Sequence, residues 1–382
     1  YTFYFLALAV RNLNDGKFKI ERKYALHEEK DNLAVVIYAH NNKDNLEKLI
    51  HQLKMQDYPI ANFKVFLILD NSTDGSQELY RNDNFIHVIN IKDVGTVGKD
   101  QAISLLLEQL SKDDYIDSFV FIDADRGISP NFLSTINAAL VRSSVLSGET
   151  IIDTDNLGPV DKIKAAYQKY HMNFIRRARS LFGLASAADS GVFIVKKEIV
   201  TQIGDVDFKD INTELKYSLL LSKIKYPCTF NPNIQTIADS TSYVFRKPRL
   251  STRLDLFRNA LPQIFGKNFV FSEHVLSLIY PNIWTLLIGY AIILKHSYSS
   301  FFFVDFKLVV FTFILLIIGF ALSLIDAKLT PKEIVRLCLY PVYSLCHITK
   351  NFPPVRMLVN KIRNREDLPQ NTEKFDVDVV VT

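Results

Sequence analysis

The sequence predicts an α/β domain built on a mostly parallel sheet with helices on both faces, followed by a set of transmembrane helices. Three observations predict it. Between residues 33 and 122, apolar runs of strand length alternate with stretches whose apolar residues recur at helical spacing. Several of those runs stop abruptly at clusters of Asp, Asn and Ser. Farther on, residues 275–294 and 308–325 contain no charged residue. Strands that are apolar throughout, rather than alternating, belong to sheets covered on both faces. Ligands in such sheets bind beyond the carboxyl ends of the strands.

The elements follow in order. Residues 33–38 form the first strand and end at the turn-forming His40-Asn41-Asn42. Leu46, Leu49, Ile50 and Leu53 then place one apolar face on a helix over 44–55. Residues 65–69 are a second strand, closed by Asp70-Asn71-Ser72-Thr73-Asp74-Gly75, a dense turn signal. Residues 86–91 are a third strand. A second amphipathic helix over 99–110 carries Ile103, Leu106, Leu107 and Leu110. Residues 119–122 are a fourth strand that runs directly into Asp123, and Pro130-Asn131-Phe132-Leu133 opens a helix behind it. His40-Asn41, Asp70 and the Asp123/Asp125 pair therefore share one edge of a single sheet.

The remainder divides by composition. Residues 1–10 are almost wholly apolar and too short to span a bilayer, and read as the remnant of an N-terminal transmembrane helix. Residues 11–31 are charged and read as a juxtamembrane linker, 32–260 as the α/β domain, and 261–349 as the membrane region. Within the last, 275–294 and 308–325 are the expected spans. The stretch 334–349, interrupted by Arg336 and Pro341, is expected to be re-entrant or interfacial. Residues 350–382 are a tail that begins basic and ends in an alternating strand-like pattern at 375–381. Lys and Arg number 45 against 41 Asp and Glu, a net charge of +4 that is too mild for a nucleic-acid partner. The three cysteines lack metal-ligand spacing and are odd in number, which points away from a disulfide framework and toward a cytosol-facing domain on the inner face of a cell membrane.

Asp123-Ala124-Asp125 is the strongest chemical signal. Two carboxylates one residue apart at a strand end can share a divalent cation, Mg2+ or Mn2+, whose open positions take diphosphate oxygens. An Asp-x-Asp after an apolar strand also occurs in haloacid-dehalogenase-type phosphatases. Those require Thr or Val two residues past the second Asp, where this chain has Gly127. Asp70, at another strand end, can accept the imide hydrogen of a uracil.

Taken together, Val36-Ile37-Tyr38-Ala39-His40-Asn41-Asn42, Leu69 through Gly75, Gly98-Lys99 and Asp123-Ala124-Asp125 resemble, in order and spacing, the nucleotide-sugar motifs of family 2 glycosyltransferases, which have the GT-A fold. The resemblance extends over roughly residues 32–260. It implies that Ala39, Asn41, Asp70, Lys99, Asp123 and Asp125 line the site of a nucleotide-sugar donor, with UDP-sugars favoured, and that Asp123 and Asp125 hold the metal. In the family a Thr-Glu-Asp before an apolar, Ser-containing helix supplies the general base. Here Asn212-Thr213-Glu214-Leu215-Lys216-Tyr217-Ser218 aligns so that Glu214 takes that place. Asp189, Ser190 and Gly191 resemble the loop on the acceptor side. The family's membrane-embedded polymer synthases carry a Gln-x-x-Arg-Trp motif. Its counterpart here, Leu250-Ser251-Thr252-Arg253-Leu254, keeps only Arg253, which could bind the diphosphate. The chain's single tryptophan, Trp284, falls in an expected span. The resemblance thus implies inverting transfer of one sugar to a lipid-linked or membrane-proximal glycan acceptor rather than processive synthesis. An inactive, glycosyltransferase-like scaffold at the membrane and a processive polysaccharide synthase are the alternatives.

Overall fold

The computed structural model describes residues 2–17, 30–80, 83, 85–91, 103, 106–107, 110–186, 191–203, 213–238, 250–280, 283–298 and 306–351. At its centre is an eight-stranded mixed sheet of order β3-β2-β1-β4-β7-β6-β8-β5, formed by β1 (Leu33–Ala39), β2 (Phe63–Asp70), β3 (Ile86–Ile91), β4 (Ser118–Asp123), β5 (Arg126–Ile128), β6 (Val145–Ile152), β7 (Val192–Lys196) and β8 (Thr229–Ala238). The four strands expected from the sequence are mutually parallel. The other half departs from that pattern: β7 runs antiparallel to both β4 and β6, and β5 runs antiparallel to β8.

Strand residues alternate between two cores, as side chains on a pleated strand must. Leu33, Val35 and Ile37 pack with Leu46, Leu49, Ile50 and Leu53 of α2 (Lys43–Lys54) and with Phe132, Leu133 and Ile136 of α4 (Phe132–Leu140). Ala34 and Val36 pack on the opposite face with Leu106 and Leu107 of the expected second helix. They share that core with Ile199 of α7 (Lys197–Ile203) and with Tyr217 and Leu221 of α8 (Thr213–Lys223). The short α3 (Ser76–Tyr80) follows the β2 turn, where Gly75 adopts a φ of +81° that glycine tolerates best.

A second, apolar bundle lies beside this domain. It gathers α1 (Thr2–Lys17), α5 (Pro159–Tyr170) with its continuation through a π-helical turn (His171–Arg176) into α6 (Arg177–Leu181), α11 (Ile283–Tyr298), α12 (Phe306–Asp326) and α13 (Pro331–Asn351). α1 passes so close to α12 that a Cβ on Gly319 would lie 3.2 Å from the Phe5 ring. α5 meets α13 through the stacked rings of Tyr167 and Tyr340, whose centroids are 3.9 Å apart, and through the Lys169–Glu333 ion pair at 2.9 Å.

Several expected boundaries move. The first helix does not stop at residue 10 but runs to Lys17, into the stretch expected as a linker. The expected span 275–294 is divided between α10 (Phe269–Ser277) and α11. Tyr280 precedes Pro281, and a proline ring disfavours helical backbone at the residue before it. Residues 334–349 lie within one helix that carries Pro341 inside it. Among the described residues, α12 is the one helix long and apolar enough to cross a membrane. Thr2–Arg11 and Ile283–Lys295 are shorter apolar stretches. The tail beyond Asn351 lies outside the described residues.

The bundle is tied to α10 by a buried ion pair. Arg179 of α6 donates from Nη1 and Nη2 to the two carboxylate oxygens of Glu273 on α10, at 2.7 and 2.8 Å, and from Nε to the Ala185 carbonyl at 2.9 Å. The Tyr4 hydroxyl of α1 donates to the same carboxylate at 2.9 Å. Removing one member of such a pair strands a buried charge, so Arg179→Met is expected to cost about 3–5 kcal/mol. A thermal-unfolding midpoint lower by on the order of 10 °C, in detergent, checks this.

Candidate functional site

β1 and β4 are neighbours whose chain connections leave in opposite directions across the sheet, the arrangement that opens a crevice at their carboxyl ends. Register brings the expected residues to that crevice. Tyr38 pairs with Asp123, and Ala39 pairs with Leu69, the residue before Asp70.

The loops after β1 and β2 are bound to each other. Asn41, at φ +49°, accepts from the Thr73 amide at 2.8 Å and from its hydroxyl at 3.3 Å. Asp74 accepts from the Lys43 amide at 2.9 Å, and its other oxygen from the Ser76 amide at 3.1 Å. Burial alone would raise the Asp74 carboxyl, but the hydrogen bonds from Ser76 and Lys43 hold it below its ordinary value. Asn41 thus ties together the two loops that wall the crevice.

Asp70 is fully buried. Its Oδ2 accepts from the Tyr38 hydroxyl at 2.7 Å, its Oδ1 accepts from the Asn71 amide group at 3.2 Å, and its carbonyl is 2.6 Å from His40 Nδ1. A nucleobase donor would therefore have to share or displace Tyr38. That competitor is encoded by the tyrosine two residues before His40, and its significance emerges only once β1 and β2 are paired.

Asp123 closes β4, and Asp125 lies in the tight turn into β5, with side chains 22% and 19% exposed. Asp125 Oδ1 is buried without a hydrogen-bond partner. Among the described residues no group of three or more His, Cys, Asp or Glu converges into a metal cage. Two carboxylates, one with an unsatisfied oxygen, fit a divalent ion that draws its remaining ligands from a diphosphate and water. Arg126, directly after the pair, is a neighbour that sequence reasoning missed. Its Nη2 is 3.6 Å from Asp123 Oδ2 and its Nε is 3.3 Å from Asp125 Oδ1.

The acceptor-side residues are only partly described: Asp189 and Ser190 lie outside the described residues, as does Lys99. Gly191 is buried, and a Cβ there would lie 2.6 Å from Thr150 Oγ1. The close approach it allows is to β6, within the sheet. Gly191→Ala is expected to lower the unfolding midpoint by several degrees, because Thr150 on a paired strand has little room to move. A midpoint like that of the wild type would show that the strand yields.

Glu214 falls in the first turn of α8; its side chain lies outside the described residues. The helix itself is held on two sides. Tyr217 and Leu221 pack on the sheet, while Ser222 Oγ is 2.7 Å from His274 Nδ1 on α10. Burial, with the Arg179 charge adding to it, pushes the His274 imidazole down to about 3, so it is neutral. Since the Ser222 hydroxyl donates to the Ser218 carbonyl at 2.8 Å, the imidazole is the donor at Nδ1. Arg253, on α9 (Leu250–Ala260), donates from Nη2 to the Ser277 carbonyl at 3.3 Å. It thereby caps the carboxyl end of α10, where a cation is favoured.

A parallel half-sheet with polar loops at its switch point is the arrangement in which open α/β sheets hold a ligand. Residues 34–204 match the model of Glycosyl transferase family 2, so this part of the chain is similar to the glycosyltransferases of that family. Among solved structures, the mannosyltransferase PcManGT from Pyrobaculum calidifontis, in complex with GDP-Man and Mn2+, is 13% identical. That alignment covers 96% of this chain and 100% of that one, with a TM-score of 0.49. TarS 1-349 from S. aureus, in complex with UDP, is 13% identical over 91% of this chain and 95% of its own, with a TM-score of 0.45. No curated protein matches the chain.

Proposed function

We propose that the protein transfers one sugar, with inversion, from a nucleotide-diphosphate donor to a lipid-linked or membrane-proximal glycan acceptor, and that transfer requires Mg2+ or Mn2+. The observation that carries this reading is the position of Asp123 and Asp125 at the end of β4, in register with the end of β1. A bound divalent ion would supply charge neutralisation as the nucleotide diphosphate departs. Asp123 and Asp125 hold it, and the joined loops after β1 and β2 shape the wall on which the nucleoside rests. Glu214, at the start of a helix fixed to the sheet and to α10, takes the proton of the acceptor hydroxyl. UDP-sugars are the donors of the working hypothesis, although the PcManGT structure contains GDP-Man. The test is hydrolysis and transfer by the purified protein across a panel of UDP- and GDP-sugars, with Mn2+ and with chelator. Turnover undiminished by chelator would refute metal dependence, and binding of no donor would favour the inactive scaffold.

The same proposal places α12 across the inner membrane, with α1 and α11 beside it and the catalytic domain in the cytosol. Leu308, Phe311, Ile314 and Ile318 of α12 are exposed apolar side chains, as suits a lipid-facing helix. The basic residues of the tail, Arg356, Lys361, Arg363 and Arg365, are expected on the cytosolic side with the domain. Asn360→Cys, in a background without Cys338 and Cys346, should resist an impermeant thiol reagent in sealed cells. Efficient labelling would put the tail outside and refute the arrangement.

A further inference from the structure

Arg126 has an environment that donor and metal binding do not by themselves explain. Its side chain is only 10% exposed, and its guanidinium lies beside both carboxylates of the pair. Yet it is poorly satisfied there. Nε and Nη1 are buried without hydrogen-bond partners, and so is the Asp125 oxygen nearest to Nε. Arginine ordinarily meets a carboxylate through paired, aligned N–H bonds. Here it is held beside the carboxylates by charge, at 3.3 and 3.6 Å, without that alignment. A buried cation with unused donors is suited to changing partners.

The charges say which partner. Two carboxylates and one guanidinium sum to −1, so the pair is only half neutralised before anything binds. A divalent ion arriving alone meets carboxylates already engaged by a fixed cation, and like charges at this distance in a half-buried site repel strongly. A nucleotide diphosphate arriving with the ion brings anionic oxygens, which are good acceptors for Nε and Nη1.

We propose that Arg126 is the resident counter-cation of the Asp123–Asp125 pair and couples metal binding to donor binding. In the free protein it keeps the carboxylates together and holds metal affinity low. When a nucleoside diphosphate is present, its oxygens give the unpartnered N–H groups an acceptor, and the carboxylates are released to the ion. Arg126 is thus a positioning residue, and this role rests on the donor reading above.

The experiment measures Mn2+ affinity of the full chain in detergent, by calorimetry, without nucleotide and with saturating UDP or GDP. In the wild type, the better of the two nucleotides is expected to tighten Mn2+ binding about 30-fold, within the usual range of coupling between sites. In Arg126→Gln, Mn2+ alone is expected to bind about 10-fold tighter, and the tightening by nucleotide to fall to about 3-fold. Arg126→Lys keeps the charge and is expected to keep most of the coupling. The proposal is overturned if the glutamine variant binds Mn2+ alone no tighter than wild type, or if the lysine variant is as uncoupled as the glutamine one. Equal wild-type Mn2+ affinity with and without nucleotide overturns it without recourse to any variant. A protein that binds neither Mn2+ nor either nucleotide overturns the donor reading itself, a different result from a donor site without coupling.

Discussion

Asp125→Asn is expected to abolish sugar transfer while leaving the fold intact. The carboxylate is at a strand-end turn, 19% exposed, with one oxygen that no protein group satisfies. Such a group contributes little to the core, and its pairing with Arg126 at 3.3 Å lacks hydrogen-bond geometry. Asp123 still faces Arg126 in the variant, so no buried charge is stranded and the unfolding midpoint should change little. Function should respond very differently. Asparagine keeps the shape but removes half of the charge that holds a divalent ion, and losing one well-placed electrostatic partner of a transition state costs roughly 10²–10³-fold. Transfer assays at saturating Mn2+, alongside thermal unfolding, separate the two effects. A variant that turns over like the wild type, with metal removed by chelator, would end the metal-dependent mechanism.

Glu214→Gln is expected to lose on the order of 10²–10⁴-fold in transfer, the usual contribution of general base catalysis, with donor binding almost unchanged. Glutamine preserves size and hydrogen bonding and removes only basicity. The helix that carries Glu214 is fixed by Tyr217 and Leu221 on the sheet and by the Ser222–His274 contact, so the substitution should not displace it. Nucleotide binding by calorimetry, set beside transfer rates, distinguishes a lost base from a lost site. Normal transfer by Glu214→Gln, together with a dead Asp189→Asn, would move the base to the loop before Gly191.

Arg253 and Asn41 show how a motif side chain takes partners that its motif does not name. Arg253 holds the carboxyl end of α10, and Asn41 binds the loop after β2. What the side chain touches depends on segments distant in sequence, because hydrogen-bond partners are chosen by packing.

The first four strands, α2 and α4 on one face of them, and the polar ends of β1, β2 and β4 were determined by sequence alone. They are written in local signals: apolar runs of strand length, helical spacing of leucines, and turn residues directly after a run. Only the tertiary structure decided the other half of the sheet. β5 is three residues long, too short for any periodicity, and exists because Arg126–Ile128 pairs with β8 more than a hundred residues later. β7 is antiparallel because it fits between β4 and β6, a choice its own residues do not carry. The same is true of the division of residues 269–298 into two helices, of the burial of Asp70 behind Tyr38, and of the position of Arg126 against both aspartates. Strand direction, burial and charge pairing are properties of neighbours in space, and the chain brings those neighbours together only when it folds.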